Sequence, residues 1–218
     1  MQQPISFTEG SVARVLYVMS MPMVWGLLAT MSFNAVDTFF VAQLGDAALA
    51  AMGFTFPVVM GVTSLAIGLG AGTSSVIART LGMGQPEQAK QLASDTMIFA
   101  LAISLVLIAL GLATIEPLFL LLGADQELIP MISEYMVIWY MNVPLVLVFM
   151  VISALMRSSG HSKIVGNMML FSALANVCLD PLLIFGWGPI PRMEIAGAAM
   201  ATLIVRALMM VAGLYYIY

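Results

Sequence analysis

The sequence predicts an all-α, polytopic membrane protein with six transmembrane helices. Three observations predict it. The 218 residues are 62% hydrophobic and only 8% charged, where a soluble domain carries about 25% charged residues. Mean hydropathy is +1.06. The apolar residues also fall into six runs, at 15–44, 47–78, 96–115, 135–156, 164–187 and 195–218. Each is long enough to cross a bilayer as a helix, which takes about 20 residues.

Composition excludes several classes. The net charge of −4 and pI near 4.7 bear on little when most of the surface faces lipid. With no basic patch, no nucleic-acid partner is expected. Cys178 is the single cysteine, so an internal disulfide and a cysteine-based metal cluster are ruled out. The single histidine, His161, argues against a His-rich metal site, and no cofactor is expected. The 20 methionines suit adaptable binding surfaces and equally suit ordinary lipid-facing packing. The first 14 residues are polar and contain Pro4 and Gly10. No short apolar stretch with a small-residue cleavage site follows, so no signal peptide is expected and the first span stays as an anchor.

The spans follow in order. The first two have about 30 residues each and are expected to tilt, kink or project past the bilayer. Pro22 and Pro57 are their candidate kink points. The second carries Gly61, Gly68, Gly70 and Gly72, a density of small residues that permits close helix contact. The third begins after Asp95, which reads as a solvated helix end. The fourth ends in Arg157-Ser-Ser-Gly-His-Ser-Lys163, a turn that places His161 in solvent. The fifth carries Ser172, Asn176 and Asp180 at i, i+4 and i+8, one polar stripe. Pro181 follows the acid and removes a backbone N–H, so a bend, and a candidate hinge, is expected there.

Basic residues give the orientation. Arg14, Arg79, Lys90, Arg157 and Lys163 fall on one side if six helices alternate, while the opposite links carry several acids and only Arg192. The positive-inside rule then places both termini in the cytoplasm.

Asp37, Asp180 and Arg206 are the ionisable residues well inside the spans. Asp37 lies seven residues from Leu44, Asp180 seven from Trp187, and Thr202 seven from Ile195. At about 1.5 Å per residue, all three sit roughly 10 Å below the same boundary. Thr30, Asn34 and Asp37 form a second stripe, so two polar stripes end in acids at matched depth. A charge at mid-membrane costs about 2.5–3.5 kcal/mol on insertion scales. Two carboxylates sharing a site also repel, so the pair is expected to take up a proton or a cation, which makes it a coupling device. The structural alternative is an ion pair between Arg206 and either acid that locks the bundle. Asn34 and Thr202 equally suit bridges between helices.

With these residues in place, the chain resembles the amino-terminal half of a multidrug and toxic compound extrusion (MATE) transporter. The matching phrases are Pro22 with Asn34-Ala-Val-Asp37-Thr-Phe-Phe-Val-Ala-Gln-Leu-Gly45, Gly68-Leu-Gly-Ala-Gly-Thr-Ser-Ser75 through Ala78-Arg-Thr-Leu-Gly82, Leu155-Met-Arg-Ser-Ser-Gly160, Asn176-Val-Cys-Leu-Asp-Pro181 and Gly197-Ala-Ala-Met-Ala-Thr202. The acid before Pro181 looks like the branch related to the DNA-damage-inducible F protein. The resemblance implies one six-helix lobe of a twelve-helix transporter, with the second lobe in the same full-length protein or in a second chain. It implies efflux of organic cations such as drugs and dyes across a bacterial or archaeal inner membrane, driven by inward H⁺ or Na⁺. By that resemblance Asp37, Asn176, Asp180 and Thr202 line a coupling cavity, with possible Na⁺ binding there, and Tyr135 matches a tyrosine discussed for the fourth helix.

Two of the rival classes fail on particular residues. An intramembrane aspartyl protease also uses two membrane acids, but Val36 precedes Asp37 and Leu179 precedes Asp180, which breaks that family's acid motifs; no enzyme activity is expected. A lipid-linked sugar flippase of the wider superfamily needs a basic cavity for a pyrophosphate, and here the acids outnumber Arg206.

Overall fold

The computed structural model describes residues 12–186 and 191–217. The polar stretch with Pro4 and Gly10, and the expected span ends at Trp187 and Tyr218, lie outside the described residues. Six helices fill the rest: α1 (Val12–Ala42), α2 (Asp46–Gly82), α3 (Pro86–Leu121), α4 (Ile129–Ser158), α5 (Ser162–Phe185) and α6 (Glu194–Ile217). Each is long and apolar enough to cross a membrane. Large apolar side chains such as Trp25, Phe99, Leu105 and Leu110 are exposed, the arrangement a bilayer requires of its lipid face.

The helix α4 is the hub. It packs against α2, α3 and α6, while α1 lies along α5 and α5 along α6. Its own residues Met136, Val143, Leu147, Val151 and Ile152 have no solvent exposure. At either end of this hub the other helices leave a cavity.

Besides α3 running on to Leu121 and α4 starting early at Ile129, the structure departs from three expectations. First, α3 starts at Pro86, ten residues before the apolar run. Pro86 sits at the first helical position, where its missing N–H costs nothing, and Glu87, Gln88, Ala89 and Lys90 are good helix formers. Asp95 is exposed, but it stands inside α3 and not at its start. Second, the glycines of α2 are not a contact seam. A Cβ at Gly61, Gly68 or Gly72 would meet nothing within 4 Å, and only at Gly70 would it touch α4, 3.4 Å from the Met150 carbonyl. The tight glycines are elsewhere. Gly26 on α1 and Gly166 on α5 face each other's helices so closely that a Cβ on Gly166 would strike the Pro22 carbonyl. Third, His161 is not solvated in its turn. It is half-buried and its ring stands edge-on to Tyr216 at 5.6 Å.

Candidate functional site

The close α1–α5 contact sets two acids side by side. Asp37 lies five residues before the end of α1 at Ala42, and Asp180 five before the end of α5 at Phe185. Both are therefore about 7–8 Å below the same end of the bundle. Their charges act on one another. Asp180 is fully buried, Asn176 is 3% exposed and Asp37 is 9% exposed.

Buried polar groups are ordinarily hydrogen-bonded. Here Asp37 Oδ1, both oxygens of Asp180, Asn176 Oδ1 and Arg206 Nη1 have no partner among the described residues. Asn176 Nδ2 donates to the Ser172 carbonyl at 2.9 Å, which holds the amide with its oxygen free. The ion pair that would lock the bundle is not formed: neither acid pairs with Arg206 among the described residues.

A cavity of about 140 Å³ opens between α1, α2, α4 and α6, and Asn34, Asp37, Tyr135, Thr202 and Arg206 all line it. Five of the residues singled out in the sequence thus share one space. Asn176 and Asp180 stand outside that lining, buried in α5. Tyr135 lies within reach of the charges of Asp37, Asp180 and Arg206, so residues of α1, α5 and α6 all come near one phenol.

Sequence reasoning missed three neighbours. Trp139 lines the cavity one turn from Tyr135. Thr55 lines it too, but returns its hydroxyl to the Met52 carbonyl at 2.7 Å. Asn142 has no exposure, and neither amide atom has a partner among the described residues. Tyr135, Trp139 and Asn142 follow i, i+4, i+7, the same spacing that picked out Asn34 and Asp37, so the signal was available. Methionine is prominent here as well, with Met52 and Met60 in the wall.

Drug-sized ligands fill pockets of about 300–1,000 Å³. At about 140 Å³, this cavity suits an ion with a few waters. Carboxylate, amide and hydroxyl oxygens are hard donors suited to Na⁺, and the same carboxylates carry protons.

The MatE family model matches residues 22–182. The chain belongs to that family. It is 46% identical over 192 residues to the FAD transporter of Shewanella oneidensis, covering 88% of this chain and 42% of that protein. It is 30% identical over 207 residues to the multidrug export protein MepA of Staphylococcus aureus, covering 93% and 44%. Among solved structures, it matches a MOP superfamily transporter from Pyrococcus furiosus with a TM-score of 0.89 at 30% identity, covering 96% of this chain and 45% of that one. The chain therefore spans less than half the length of these relatives, and its six helices correspond to one of the two lobes of a MATE transporter. Such proteins are multi-pass membrane transporters.

Proposed function

We propose that the chain is the amino-terminal lobe of an ion-driven exporter, and that Asp37, Asp180, Asn176 and Thr202 form its coupling site. The observation that carries this reading is the pair of buried acids on the packed helices α1 and α5, with Asp37 Oδ1 and both oxygens of Asp180 lacking partners among the described residues. H⁺ or Na⁺ entering from outside neutralises the acids and draws the Asn176 and Thr202 oxygens inward. The rearrangement passes along α5, with Pro181 as the hinge, and lowers the affinity of the lobe for an exported organic cation. Because the cavity is ion-sized, drug and ion are coupled through helix movement and not by sharing one pocket. Coupling of about 1–3 kcal/mol is enough for useful exchange, and the membrane potential adds about 2.3 kcal/mol per charge per 100 mV. Both termini of the chain are cytoplasmic in this scheme, and the membrane is the inner one.

The substrate has two readings. Drugs fit the S. aureus relative's name, a multidrug export protein, and the buried acids favour organic cations among them. A flavin nucleotide is the second reading, favoured by the relative that matches at 46% identity and is named an FAD transporter.

The test is transport in proteoliposomes holding the full-length protein. Efflux of a fluorescent cation and of FAD is followed under an imposed pH gradient and an imposed Na⁺ gradient. Export driven by one gradient and lost in Asp180→Asn supports the scheme and names the ion. Full gradient-driven export in Asp180→Asn refutes it.

A further inference from the structure

At the opposite end of α4 lies a larger cavity, of about 620 Å³, between α1, α2, α4 and α5. We propose that it binds the anionic group of a flat aromatic substrate, with Arg157 as the anchor and the serines beside it as further donors. The inference deepens the flavin reading above and rests on it.

The volume falls within the range of small-molecule sites. The lining includes Ser74, Ser75, Phe149, Met150, Ser153 and Arg157, and no lining residue is acidic. The basic residues at this end are not alike. Arg79, Lys90 and Lys163 are exposed, as loop-end basic residues are expected to be, whereas Arg157 is half-buried and turned into the cavity. Its guanidinium reaches across to α2: a Cβ on Gly70 would lie 3.8 Å from Arg157 Nη2. It makes no ion pair among the described residues.

The hydroxyls point the same way. Thr73 and Thr80 on α2 return theirs to the carbonyls of Leu69 and Val76. Ser74 and Ser75 form no such bond among the described residues, and neither does Ser153 on α4. A planar five-donor fork beside uncommitted hydroxyls is the chemistry that recognises a phosphate. Phe149 and Met150 supply an adaptable apolar wall for a ring. The two cavities then differ, with Asp37 facing Arg206 in the ion-sized one and a lone arginine with no acid in the larger one. The plainer role for Arg157 is to complement the C-terminal dipole of α4, which predicts no preference among ligands.

Two measurements on the full-length protein separate these roles. The first is binding of flavin mononucleotide and of riboflavin, which share a ring and differ by a phosphate, read by flavin fluorescence. Flavin mononucleotide is expected to bind about tenfold tighter, the size of one charge-assisted hydrogen bond. Arg157→Gln is expected to abolish that preference and leave riboflavin binding unchanged. Arg157→Lys keeps the charge without the fork and is expected to retain part of it, which covers the case in which Arg157→Gln fails to fold. The second measurement needs no flavin. Ser74→Cys, in a cysteine-free background of the full-length protein, is modified by an anionic and a cationic thiosulfonate, and the rate ratio is compared with and without Arg157. A phosphate preference that is undiminished in whichever Arg157 variant folds overturns the site while leaving the flavin reading standing, and so does equal binding of the two flavins. If neither flavin binds, the flavin reading fails. In that case the anion site survives only if Arg157→Gln or Arg157→Lys lowers the anionic-to-cationic rate ratio, and an unchanged ratio overturns it.

Discussion

Asp180 is buried with both carboxylate oxygens unpartnered among the described residues, an arrangement that costs stability unless something loads it. Replacing it by the isosteric amide removes the charge and keeps the shape. Asp180→Asn is therefore expected to leave the melting temperature of the full-length protein unchanged or raised, given the cost of about 2.5–3.5 kcal/mol for a charge at mid-membrane. Export is expected to fall more than tenfold. Thermal unfolding in detergent beside the transport assay checks both, and a protein that unfolds more easily would make the acid structural. Asn142 gives a matching case. Neither of its amide atoms has a partner among the described residues, so Asn142→Leu is expected to hold or gain stability by about 1 kcal/mol. A clear drop would show that the amide is bonded within the membrane. The residue scale is also where the sequence was most readable. Asn34, Asp37, Thr202 and Arg206 were each legible as polar groups in apolar runs, Tyr135 came only from the family resemblance, and all five line one cavity. Arg157 was legible only as a topology marker, because burial of a side chain at a span's end leaves no trace in hydropathy.

Helix pairing was harder to read than the helices themselves. Small residues permit close approach, but their density does not say which helix approaches. The run of glycines on α2 faces open space at three of its four positions, while the single Gly166 on α5 meets the backbone of α1. Two substitutions test this. Gly166→Ala is expected to destabilise the lobe by about 1–3 kcal/mol, the usual cost of overpacking, because the obstacle at Pro22 is backbone. Gly68→Ala is expected to be neutral or stabilising by about 0.5–1 kcal/mol, since Ala is the better helix former and nothing blocks it. Equal melting temperatures for the two variants would contradict the α1–α5 contact. Pro181 is the other element-scale feature. The helix α5 continues through it to Phe185, and its missing N–H leaves the Val177 carbonyl without its usual donor. Pro181→Ala restores that bond. It is expected to raise stability and slow export several-fold, and unimpaired export would remove Pro181 from the mechanism. The length of α3 was illegible for a different reason: hydropathy reports what sits in lipid, whereas the polar turns after Pro86 are helical by propensity and by the proline at the first helical position.

For the whole molecule, the six spans and their alternation were legible because a bilayer admits few other structures for so apolar a chain. What hydropathy could not convey was the division of the lobe into two unlike ends joined by α4. The acids Asp37 and Asp180 lie toward the end that holds the α1–α2, α3–α4 and α5–α6 links. The exposed Arg79, Lys90 and Lys163 lie at the other end, which holds the larger cavity. If basic residues set the orientation, the ion-sized cavity faces outward and the larger cavity faces the cytoplasm, the order an exporter needs. In the proposed scheme ions then enter from outside where they are plentiful, and substrate is collected inside. Single cysteines in a cysteine-free background of the full-length protein test this directly. Gln85 and Ser159, exposed in the α2–α3 and α4–α5 links, and Gln126, exposed in the α3–α4 link, are each replaced by Cys. In intact cells a membrane-impermeant maleimide is expected to label the cysteine at 126 and to reach those at 85 and 159 only after lysis. Labelling of 85 or 159 from outside would invert the lobe. It would also turn the coupling scheme around, because the buried acids would then load from the cytoplasm, where an inward ion gradient cannot drive them.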